Sequence, residues 1–175
     1  MCRWCDPEFD DGPGFSLVSR EPETLVGRGW EGSVSEADGA RARLLEEVRT
    51  AALAASARGP LVVLTWVARP GGVRCFVGCE PGEGGAAGLE RVDLPALSYV
   101  MTWHDADDGE VAEHYRGLAH WMEGAGIRRD GAQMDRREQY PLEDEPGLPA
   151  GMLLMAPALV ERAAAVGRFR AEQVD

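Results

Sequence analysis

The order of elements along the chain repeats, and this restricts the fold more than any other feature. Leu25 to Trp30 reads as a short strand. Ser35 followed by Asp38 marks a helix start, and Leu44, Val48, Ala51 (or Ala52) and Ala55 then recur at helical spacing until Arg58-Gly59-Pro60 stops them. LVVLTWVA (61–68) has the composition of a buried strand. After the turn Arg69-Pro70-Gly71-Gly72, VRCFVG (73–78) supplies another. Beyond a glycine-rich connector, PGEGGAAG (81–88), the series returns. Leu97 to Trp103 reads as a strand. Asp107 with Glu110 starts a helix whose face carries Val111, Tyr115, Leu118, Met122 and Ala125, and Gly124 and Gly126 end it. Gln133 to Tyr140 and Gly151 to Ala156 form two further strands across a Pro- and acid-rich loop. Helix starts near 36 and 108 and hairpin starts near 61 and 134 share an offset of about 72 residues.

Each half holds one amphipathic helix and three strands, too little to bury a secure core alone. The expected fold is therefore α+β: duplicated β-α-β-β units forming a curved antiparallel sheet with both helices on one face. The opposite face, between the copies, is the expected cleft. The domain spans 23–157, with one repeat at 23–80 and the other at 92–157. Residues 1–22, rich in Pro, Gly and Asp, read as a flexible arm. Pro157 to Gln173, with Leu159, Val160, Ala163, Val166 and Phe169 at helical spacing, reads as an extra C-terminal helix, so that 158–175 extend the domain.

Charge narrows the function. Thirty acids against 18 bases give a formal charge of -12, which disfavours binding to phosphate backbones. All 18 bases are arginine, so no lysine can serve as a Schiff-base nucleophile or phosphate-loop cation. No apolar run reaches the roughly 20 residues that cross a bilayer, and the N-terminus lacks a signal-peptide layout. A cytoplasmic location is expected, with no membrane and no direct nucleic-acid contact.

VDLPALSYVMTWHD (92–105), YRGLAHWMEGAG (115–126), EQY (138–140) and MLLMAPA (152–158) together resemble the GyrI-like family, the small-molecule-binding domains also fused to AraC- and MerR-type regulators. RCFVGCEP (74–81) matches more loosely, and the resemblance spans about residues 23–157. It implies a duplicated strand-helix-strand-strand fold. It also implies a cleft in which the glutamate of a Glu-x-Tyr strand meets a cationic or polar aromatic ligand; the matching residues are Glu138 and Tyr140. The chain departs from the pattern at Met152 to Met155, where many members carry a further acid.

Period-2 geometry places Glu138 and Tyr140 on one strand face. The plainer alternative is a solvated Glu138 paired with Arg136 or Arg137. Tyr99, Met101 and Trp103 share a face of their strand. Trp66 occupies an equivalent-looking place in the first half, and Trp30 adds another ring, so these five are candidate ligand-lining residues. Core packing is the alternative for each tryptophan. Cys2-x-x-Cys5 and Cys75-x-x-x-Cys79 do not sum to a zinc site, because the second pair lies about 13 Å apart along a strand; reduced structural thiols are expected. His104, His114 and His120 lack a metal-binding spacing, and neither Asp105 to Asp108 nor Glu143 to Glu145 forms a calcium loop. No metal or other cofactor is expected.

The leading expectation is a domain that binds a small aromatic, hydrophobic or cationic compound between its repeats, for sequestration or sensing. The resemblance also allows a hydrolase of electrophilic cyclopropane-type DNA alkylators, with Glu138 as acid/base and Tyr140 or Tyr99 orienting the electrophile. A third alternative is a gyrase-modulating interaction module. A homodimer is compatible with the extra C-terminal helix.

Overall fold

A computed structural model describes residues 14–68, 70–84, 88–105, 107–142 and 151–160. The first half comprises β1 (Ser16–Arg20), β2 (Glu23–Ser33), α1 (Val34–Ala54), β3 (Leu61–Ala68), β4 (Gly72–Cys79) and β5 (Glu90–Leu94). The second comprises β6 (Leu97–Asp105), α2 (Val111–Gly124), β7 (Arg128–Arg129), β8 (Arg136–Tyr140) and β9 (Gly151–Leu159). The architecture is α+β, with one large antiparallel sheet that is not closed and two helices on one of its faces. No helix among the described residues is long and apolar enough to cross a membrane.

The strand order β1-β6-β9-β8-β3-β4-β2-β5 reads alike from either end, with β7 added beside β9. From either end the order is an outer strand (β1 or β5, both from the first half of the chain), then the strand before a helix, then the two strands after it. The halves join along the β3–β8 ladder, where Val63 opposes Glu138 and Leu61 opposes Tyr140. The helices begin 77 residues apart, at Val34 and Val111.

The sheet is strongly curled. β1 and β2 are joined by Glu21 and Pro22 alone, so the linker spans at most about 11 Å. On a flat sheet those strands would lie six ladders, about 29 Å, apart. Two contacts close the curl from inside: Arg137 of β8 pairs with Glu23 of β2, and Arg20 of β1 donates to Gln139 of β8 at 3.2 Å.

Three cores follow. Val26, Leu61, Val63, Cys75 and Val77 pack against Leu44, Val48 and Ala52 of α1. Val100, Ala156 and Ala158 pack against Leu118 and Met122 of α2. The concave face away from the helices is filled by Leu25, Val62, Leu64, Phe76, Leu94, Tyr99, Met134 and Met155. That face was the expected cleft, and here the reading needs correction: the curl brings the two halves' apolar side chains together and leaves a packed core.

Local expectations shift in four places. The arm is not wholly loose, since Ser16–Arg20 add an edge strand to β6. The cap of α1 is Ser33 with Glu36, two residues before the expected pair, and Glu110 stands at the N-cap position of α2 without a side-chain capping bond. β5 and the short β7 were not anticipated. Pro157 lies inside β9, opposite Tyr99, so no helix begins there. The remainder of the expected C-terminal helix, like Cys2 and Cys5, lies outside the described residues.

Candidate functional site

Ladder parity decides which side chains meet. On β8, Arg136, Glu138 and Tyr140 project toward the helices, because they oppose Thr65, Val63 and Leu61. Arg137 and Gln139 point the other way, into the concave core. α1 covers β2, β3 and β4, while α2 covers β6, β7 and β9. β8 therefore runs along the floor between the two helices, beside the join of the halves.

Glu138 is 2% exposed and is the only buried carboxylate among the described residues. It is not paired with Arg136 or Arg137. Arg41 of α1 donates Nη1 to both its oxygens, at 3.2 and 3.0 Å, and the Tyr140 hydroxyl donates to Oε2 at 2.6 Å. A desolvated carboxylate demands such compensation. The pairing acts both ways: burial lowers the Arg41 pKa, but the charge of Glu138 together with the smaller contributions of Tyr140, Asp38 and Cys75 outweighs it and raises the value. Burial, and then the neighbouring negative charge, hold the Tyr140 phenol far above its usual range, so it remains a proton donor. Cys75, under α1, is pushed up to about 11 by burial.

Tyr115 of α2 forms the facing wall. Its hydroxyl donates to the Arg137 carbonyl at 3.3 Å, and the Arg136 guanidinium lies 4.5 Å from its ring centroid. Burial, with the Glu138 charge second, raises its pKa well above the ordinary phenol value. A recess of about 180 Å³ opens beside it, lined by Ala112, Tyr115, Ala119, Arg129, Arg136 and Ala156 among others. The arrangement is a carboxylate neutralised by an arginine from the facing helix, with phenols on either side. Chemically it can hold a cation or pass a proton between acid and phenol.

The remaining expected site residues do not join this group. Tyr99, Met101 and Trp103 share a face of β6 as expected, but it is the concave one. Tyr99 is fully buried, with Arg137 5.4 Å from its ring. The Trp103 indole donates to Asp105 at 2.6 Å. Trp66, also on the concave side, donates to the Gln133 carbonyl and lies under Arg74, 5.0 Å away. Trp30 faces α1 but sits on β2, three ladders from β8. Their side chains are taken up by core and edge packing. The sequence reading missed Arg41 and the site role of Tyr115. Arg41 flanks the apolar stripe of α1, one residue after buried Ala40, and that flank position was the one local signal available for it.

The histidines also need correction. Spacing alone dismissed them, yet the fold brings together His104 at the end of β6, Asp108 in the next loop and His114 in the first turn of α2. The two Nδ1 atoms lie 2.6 Å apart with the rings at 86°.

No family model matches the chain, and no curated protein does. Solved structures do. A crystal structure of a putative bacterial transcription regulation protein from Staphylococcus aureus superposes with TM-score 0.62 at 14% identity, over 85% of this chain and all of that one. SAV2435 bound to tetraphenylphosphonium gives 0.62 at 13%, over 83% of this chain and 93% of that one. A hydrolase from Listeria innocua gives 0.52 at 13%, over 86% and 94%. At these identities the likeness is one of fold: the chain shares its architecture with bacterial regulator-type and ligand-bound domains.

Proposed function

We propose that the protein binds a small aromatic or hydrophobic cation in the groove over β8, for sequestration or sensing, with the ligand's charge replacing Arg41 on Glu138. One observation carries the reading. The only buried carboxylate among the described residues is neutralised by an arginine whose side chain is 31% exposed, on a different half of the molecule. Such an arginine can swing into water, whereas Glu138 cannot follow it without losing Tyr140 and its strand.

The recess beside Tyr115 is smaller than the roughly 300 Å³ at which drug-sized sites begin. Withdrawal of Arg41 would free Glu138 and the neighbouring Tyr140 for a planar or aryl cation beside that recess. The shared fold with SAV2435, solved with a lipophilic cation, supports this ligand class. Membership of the GyrI-like family is part of the same proposal. Equilibrium dialysis with tetraphenylphosphonium tests it: saturable binding is expected, weakened at least about tenfold in Glu138→Gln, since a lost charged contact costs about 1.5–3 kcal/mol. Equal binding by both proteins contradicts it.

A second reading rests on the 2.6 Å contact between Tyr140 and Glu138. With Glu138 as base and the protonated Tyr140 as acid, the pair could direct water onto a strained electrophile of the cyclopropane type. Product formation that disappears in Glu138→Gln distinguishes turnover from binding.

A further inference from the structure

The His104–Asp108–His114 cluster lies apart from the groove in its residues and its chemistry. We infer that it is a binding site for one divalent transition-metal ion of the zinc class, held by two imidazoles and one carboxylate. The ligand atoms all lie within 4.8 Å of one another. A tetrahedral ion with bonds near 2 Å places its ligands about 3.3 Å apart, so small side-chain rotations suffice. The two Nδ1 atoms, 2.6 Å apart across perpendicular rings, already converge on one point.

The surroundings are those of a supported site. His104 is buried at the strand end, His114 is half-buried on the helix, and Asp108 is exposed, so the carboxylate side is open to entry. The backbone N–H of Asp105 donates to Asp108 Oδ2 at 2.8 Å, which fixes the carboxylate as outer-sphere partners do in metal centres. Residues 104–114 carry four further acidic residues in sequence, Asp105, Asp107, Glu110 and Glu113, and no arginine. Imidazole donors select zinc, cobalt, nickel or copper over magnesium and calcium. Three protein ligands leave a fourth position for water. The ion would tie the end of β6 to the start of α2.

The test uses the full-length chain with Cys2→Ser and Cys5→Ser, so that amino-terminal thiols cannot supply the metal. Dialysis against Zn²⁺ should leave one equivalent bound. Co²⁺ should give visible bands without a thiolate charge-transfer band, and Zn²⁺ should raise Tm. Asp108 is exposed and His114 half-buried, so Asp108→Asn and His114→Ala spare the fold. Each should weaken Zn²⁺ binding about tenfold or more and abolish the Tm shift, while exposed His120→Ala changes neither. Absence of stoichiometric Zn²⁺, or binding equally strong in Asp108→Asn and His114→Ala, overturns the assignment.

Discussion

Arg41 and Glu138 form an ion pair, 3.0 Å from Nη1 to Oε2, between the helix of the first half and a strand of the second. The carboxylate is deeply buried and its cation is only partly so. Breaking a buried pair leaves a desolvated charge uncompensated, at about 3–5 kcal/mol, and the exposure of Arg41 reduces that penalty. Arg41→Ala should therefore lower unfolding free energy by about 1–3 kcal/mol in urea titrations. The double variant Arg41→Ala with Glu138→Gln should recover at least half, because the charge itself is gone. A double variant no more stable than Arg41→Ala contradicts this account.

Alkaline titration reads the same region. The chain has three tyrosines, and burial raises all of them: Tyr99, Tyr115 and Tyr140. The folded state thus favours the neutral phenol. Stability from this source is complete below the unfolded value near 10 and falls as pH rises above it, because the unfolded chain then releases protons that the folded one keeps. Phenolate absorbance should stay absent through pH 10 and appear together with loss of circular dichroism. A tyrosine titrating near 10 in the folded protein refutes the burial argument.

The β2–β4 ladder is tested by Gly27, with Gly39 of α1 as its control. A Cβ on Gly27 of β2 would fall 1.9 Å from the Val77 carbonyl oxygen and 2.5 Å from Gly78 Cα, both backbone atoms of the paired strand. Gly27→Ala should cost about 3 kcal/mol or prevent folding. Gly39 on α1 meets nothing within 4 Å, so Gly39→Ala should gain about 0.5–1 kcal/mol. Reversed signs in thermal or urea unfolding contradict the register.

Much of this was legible from local patterns. LVVLTWVA (61–68) is β3, and the strand from Leu97 is β6, because continuous apolar runs between turns leave little choice. β1 and β5 escaped because SLVSR and ERVDL carry few apolar residues; neighbouring strands fix them. Periodicity showed that Glu138 and Tyr140 share a face, and likewise Tyr99, Met101 and Trp103. It could not say which face meets the helices. That is set by long-range pairing, Glu138 opposite Val63 and Tyr99 opposite Pro157, which has no local signature. The histidine cluster was hidden for a related reason, since a strand, a loop and a helix turn have no common period.

Calorimetric titration of tetraphenylphosphonium into three proteins tests the central claim most directly. If the arginine is the groove's resident cation, Arg41→Ala should bind more tightly than wild type, and wild type more tightly than Glu138→Gln, each step about fivefold or more. Equal affinities across all three, or weaker binding in Arg41→Ala than in wild type, would contradict the exchange of one cation for another on Glu138.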